Sequence, residues 1–109
     1  MKTSDVVANL RTYVKSVCKD FPPALCGLIV FGSYARGCAK IGSDLDIALL
    51  GSDEFRRSDR VAMREILSGF YEHIDIKLFC TNQEKLELTD CEFDANYWIR
   101  KEGELLWQR

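Results

Sequence analysis

Residues 32–46 read Gly32-Ser33-Tyr34-Ala35-Arg36-Gly37-Cys38-Ala39-Lys40-Ile41-Gly42-Ser43-Asp44-Leu45-Asp46, so that ten residues separate a Gly-Ser pair from an Asp-x-Asp. Apolar, strand-like runs flank the stretch, Cys26 to Phe31 before it and Leu45 to Leu50 across its end. The first run closes on the Gly-Ser pair, which reads as a buried strand feeding a tight turn. Residues 34–40 read as a short helix, and Gly37 and Gly42 let the chain bend back into the second strand, Asp44 to Leu50. Along that strand Asp44, Asp46 and Ala48 share one face, while Leu45, Ile47 and Leu49 share the other. One face is left for chemistry and the other packs.

A third apolar run, Ile74-Asp75-Ile76-Lys77-Leu78-Phe79, repeats the split, with Ile74, Ile76 and Leu78 opposite Asp75, Lys77 and Phe79. Before these strands, Val6, Val7, Leu10, Tyr13, Val14 and Val17 recur at helical spacing until Phe21-Pro22-Pro23 ends the pattern. Between the second and third strands, Ser52, Asp53, Ser58 and Asp59 are helix starters ahead of Ala62, Met63, Ile66, Leu67, Phe70 and Tyr71. Thr81 followed by Glu84 resembles a capping box, 93–100 reads as a helix, and 103–107 as an edge strand. The fold class that follows is α+β, a two-layer arrangement in which a small mixed β-sheet is flanked by helices. The site is expected at the edge of that sheet.

With 109 residues the chain has room for one domain, 1–109, and none for a second substrate-binding lobe. A formal net charge of -2 supplies no long-range attraction to nucleic acid or an anionic membrane. Five cysteines without a C-x-x-C pair, accompanied by one histidine, disfavour a disulfide framework or a structural zinc site. No apolar stretch approaches the roughly 18 residues of a membrane span, and the expected location is the cytoplasm. Cys38 reads as a small packing residue in the site loop.

The chemistry follows from residue types and spacing. On an extended strand the Asp44 and Asp46 carboxylates leave the same face about 7 Å apart along the backbone, and can share Mg²⁺ ions bound to a nucleoside triphosphate. Asp75 completes one metal site or acts as a base toward an attacking hydroxyl. Gly32 and Ser33 let backbone N–H groups and a hydroxyl approach phosphate closely, Arg36 steadies the same phosphates, and Lys40 or Lys77 adds charge. His73 reads as a surface or strand-end residue, and Tyr34 as loop packing. Gly-Ser, ten residues and Asp-x-Asp recur by accident roughly once in 10⁵ positions, which makes the complete pattern informative where Asp-x-Asp alone is not.

On these residues the chain resembles the minimal nucleotidyltransferases, the small branch of the DNA polymerase β-like superfamily. The likeness takes in the whole Gly-Ser and Asp-x-Asp motif, the leading helix, the Ile74-to-Phe79 strand and the closing Lys101-Glu102-Gly103-Glu104-Leu105-Leu106. The resemblance implies the nucleotidyltransferase fold, with Asp44, Asp46 and Asp75 as catalytic and metal-binding residues and Gly32, Ser33 and Arg36 on the nucleotide. It further implies Mg²⁺, ATP as donor, and an antitoxin that transfers AMP to a tyrosine of a HEPN-domain toxin. Two other readings stay open: an antitoxin that neutralises its toxin by covering it, and transfer to a small-molecule acceptor. Tyr97 and Trp98 are candidates for such a contact surface, though their spacing fits a helix core better.

Overall fold

A computed structural model describes residues 3–70 and 74–109. Tyr71 and His73, singled out from the sequence, lie outside the described residues. Strand β1, Leu25–Phe31, pairs antiparallel with β2, Leu45–Gly51, placing Val30 opposite Ile47 and Phe31 opposite Asp46. Strand β3, Ile76–Thr81, runs parallel to β2 with Lys77 opposite Asp46 and Phe79 opposite Ala48. A parallel neighbour needs a crossover, and α3, Arg57–Leu67, supplies it. Strand β4, Glu104–Gln108, adds to the outer side of β1 as the expected edge strand, giving the order β3-β2-β1-β4.

The period-two alternation sends the strands' apolar side chains to two cores. On one face Leu28, Val30, Leu45, Ile47 and Leu49 pack with Leu10 and Val14 of α1, Thr3–Val17, and with Met63 and Leu67 of α3. On the other, Phe31 and Ala48 meet Leu86 of α4, Gln83–Leu88, and Ile99 of α5, Ala95–Glu102. The α+β mixed sheet flanked by helices is thus as the sequence implies, while the helices cover both of its faces and so make three layers where two were expected. Leu45, Ile47 and Leu49 have no exposed surface. Each such burial is worth about 1.5–3 kcal/mol, so the strand that carries Asp46 and begins directly after Asp44 is anchored by the residues between and beyond the two acids.

Element boundaries depart from the sequence reading at several ends: β2 begins at Leu45 rather than Asp44, β3 at Ile76 rather than Ile74 and α5 at Ala95 rather than residue 93, and three helix ends differ further. Helix α2 spans only Ser33–Arg36, because Gly37 turns left-handed at φ 76° and Cys38 N–H donates back to the Ser33 carbonyl at 3.0 Å. Cys38 is consequently exposed rather than packed. Asn82, not Thr81, caps α4, its Oδ1 accepting from Lys85 N–H at 2.8 Å. Thr81 is still the last residue of β3, buried, with its hydroxyl bonded to Asn96. None of the four expected starters is the N-cap of α3: Arg56 holds that position, and Asp59 accepts its N–H at 2.9 Å from inside the first turn.

Candidate active site

The C-terminal end of β1 and the N-terminal ends of β2 and β3 meet at one end of the sheet, since β1 is antiparallel to β2 and β2 parallel to β3. An open cavity of about 560 Å³ lies there, with Gly32, Ser33, Arg36, Asp44, Asp46 and Lys77 on its polar side. Five of the six site residues read from the sequence are therefore gathered around one space, together with one of the two candidate lysines. Lys40 is elsewhere, its N–H held by Ser43 Oγ at 2.9 Å in the bend before β2.

Gly32 stands at φ 77°, where side chains are strained, and a Cβ at this position would overlap Asp46 Oδ2. The turn can therefore press against the carboxylate only as glycine. Burial, and then the negative charge of Asp44, push the Asp46 carboxyl above its ordinary pKa, while Lys77 and Arg36 pull it back. Lys77 Nζ lies 2.9 Å from Asp44 Oδ2. That contact, and then the charges of Asp46 and Asp75, hold the ammonium above its usual pKa.

Arg36 faces the cavity but is engaged, its guanidinium donating to Glu102 Oε1 at 2.7 Å. Tyr34, by contrast, is buried in the core beneath α2, in keeping with a packing role. Asp75 precedes the first residue of β3 and does not line the cavity. Its carbonyl accepts Leu45 N–H at 2.8 Å, and it borders a neighbouring hollow with Arg64, Ser68 and Ile76. Its charge reaches the site through Lys77.

The cavity has a second wall that the sequence reading passed over. Phe79, Ala95, Trp98 and Glu102 line it, the last three at helical spacing on α5. Phe79 follows from the strand alternation that already aligned it with Lys77. Trp98 carried no such signal; it is exposed rather than core, and Ile99 takes the core position of α5. Tyr97 is half-buried.

A divalent cation suits the donor set in part. Asp44 and Asp46 are mutually repelling carboxylates on one cavity, which a bound cation relieves, and phosphate oxygens can complete its coordination. Among the described residues no three His, Cys, Asp or Glu side chains gather as a ready-made metal cluster. The pair thus fits a cation brought in with a nucleotide better than one held by protein alone.

A mixed sheet whose strand ends bring a Gly-Ser turn against paired aspartates has the architecture of a nucleotidyltransferase. The chain belongs to the nucleotidyltransferase domain family, whose model matches residues 10–101. Among solved structures it is similar to a toxin-antitoxin crystal structure with AMP-PNP, at a TM-score of 0.65 and 23% identity over 91% of this chain and 73% of the other. A tri-AMPylated Shewanella oneidensis HEPN toxin in complex with an MNT antitoxin gives 0.58 and 20% over 94% and 73%. A putative nucleotidyltransferase from Sulfolobus solfataricus gives 0.55 and 23% over 98% and 84%. These likenesses concern the fold. No curated protein sequence matches the chain, and no helix among the described residues is long and apolar enough to cross a membrane.

Proposed function

We propose that this chain is an Mg²⁺-dependent nucleotidyltransferase of the cytoplasm that transfers AMP from ATP to a tyrosine hydroxyl of a HEPN-domain toxin, and so neutralises it. The observation that carries the reading is the convergence of Gly32, Ser33, Asp44 and Asp46 on one open cavity. The AMP-PNP bound in one similar toxin-antitoxin structure, and the AMPylated HEPN toxin in another, support the choice of donor and acceptor.

In this reading Gly32 and Ser33 hold the β- and γ-phosphates, and Arg36 joins them once it leaves Glu102. Asp44 and Asp46 hold the cation. Bound Mg²⁺ neutralises charge on the departing pyrophosphate and acidifies the attacking hydroxyl. The tyrosine oxygen attacks the α-phosphorus, the bond to the bridging oxygen breaks, pyrophosphate leaves, and the hydroxyl proton passes to a site carboxylate. Asp75 serves as the third carboxylate, turning toward Asp44 from the adjoining hollow.

The test is incubation with ATP, Mg²⁺ and a HEPN-domain partner, followed by intact-mass analysis of that partner. One or more AMP increments are expected, abolished by Asp44→Asn with Asp46→Asn while the complex persists. Transfer undiminished in that variant overturns the reading. Cellular protection by the transfer-dead variant equal to that of the parent favours neutralisation by covering.

A further inference from the structure

The cavity is polar at one end and aromatic at the other, and the nucleotidyltransferase reading gives no role to the aromatic end. On β3, Lys77 and Phe79 project to the same face, about 7 Å apart along the strand. That is close to the reach from a nucleotide's phosphates to its base. Opposite Phe79 in the ladder is Ala48, fully buried and too small to cover the ring. Phe31 supports the Phe79 ring edge-to-face, with centroids 5.6 Å apart, and Phe79 remains 43% exposed beside the cavity.

From α5, Ala95 and Trp98 face the same space, and Trp98 is 38% exposed. The indole is fixed: its N–H donates to the Glu92 carbonyl at 2.7 Å, and Tyr97 packs edge-to-face on it. Small Ala95 leaves room next to it. The one polar side chain that α5 sends to the cavity, Glu102, is held by Arg36.

We propose that Phe79, Ala95 and Trp98 form a nucleobase slot, which takes the base of the bound nucleoside triphosphate by stacking. Its walls offer ring faces and a methyl group instead of carboxamides or hydroxyls, so the slot selects by stacking area. Purines are preferred to pyrimidines, with little separation of adenine from guanine. The inference rests on the nucleotidyltransferase reading and deepens it.

The experiment measures binding of AMP-PNP, of the corresponding cytidine analogue and of inorganic tripolyphosphate to the full chain with Mg²⁺. Base–aromatic stacking predicts that AMP-PNP binds roughly ten-fold or more tighter than tripolyphosphate, with the cytidine analogue between. Trp98→Ala and Phe79→Ala should each remove most of that margin while leaving tripolyphosphate affinity unchanged, which also shows that they fold. Trp98→Phe should retain most of it. In a Trp107→Phe background, the remaining indole fluorescence should be quenched by AMP-PNP and not by tripolyphosphate. Equal affinity for AMP-PNP and tripolyphosphate, unmoved by the substitutions, overturns the slot alone. Failure of both to bind removes the nucleotidyltransferase reading beneath it.

Discussion

Lys77 stands opposite Asp46 in the β2–β3 ladder, yet it gives its ammonium to Asp44, just ahead of β2, at 2.9 Å. A cation from the protein therefore already occupies one of the two motif carboxylates. Lys77→Met should let Mn²⁺, read by its paramagnetic resonance signal, bind the nucleotide-free chain more tightly. Exposed ion pairs are worth about 0.2–1 kcal/mol, so the gain should be about five-fold at most. Unchanged or weaker Mn²⁺ binding would show that Lys77 does not compete for Asp44.

Asp46 gives a prediction about pH. Because its folded pKa is raised, the native state holds the proton more tightly than the unfolded chain does. Its contribution to stability is therefore fully present below the unfolded carboxylate pKa of about 4 and is lost as pH rises through the higher folded value. Asp46→Asn removes that loss. In metal-free buffer the variant should melt above the parent at pH 7 and nearly level with it at pH 3, as followed by circular dichroism. A variant less stable than its parent at neutral pH would contradict the raised pKa.

Gly32→Ala combines a strained φ with an overlap on Asp46. The expected loss of stability is about 1–2 kcal/mol in denaturant titration. Transfer should fall about a hundred-fold or more, since displacing one reacting group by an ångström has that effect. Activity within a factor of three of the parent would mean that the turn does not position the carboxylate.

Asp75 lies beyond the start of β3, bordering the adjoining hollow rather than the cavity. Asp75→Asn should accordingly reduce transfer by about ten-fold, short of the abolition expected for Asp44→Asn, in single-turnover assays read as free energies. Equal losses for the two substitutions would make Asp75 a full partner of the motif acids.

Much of this architecture was legible because it rests on alternation. Leu45, Ile47 and Leu49 against Asp44, Asp46 and Ala48 announce a strand with one packed face, and β2 has it; its other face is free for chemistry only near its start, since Ala48 is buried against α4 and α5. Helix ends were read less well, because Thr81 and Asn82 are both capping types and only tertiary packing decides between them. Thr81 is claimed by β3 and by Asn96, leaving the cap to Asn82. Trp98, read from the sequence as a contact-surface or helix-core residue, and Glu102 were not placed at the site for a related reason: both lie far along the chain from the motif, Glu102 66 residues from Arg36, and only the docking of α5 on the sheet brings Glu102 to Arg36. Contacts made solely by the fold leave no local trace.

The ladder of β2 also determines how the molecule tolerates change. Substitutions at 44 and 46 alter chemistry while leaving the leucines beneath untouched, so the two properties can drift apart residue by residue. A slip of one position in that strand exchanges the faces, pressing carboxylates into the core and turning Leu45, Ile47 and Leu49 outward. Insertions and deletions are thus filtered far more harshly here than point changes, and the loop from Cys38 to Ser43 is where length can vary without inverting the strand.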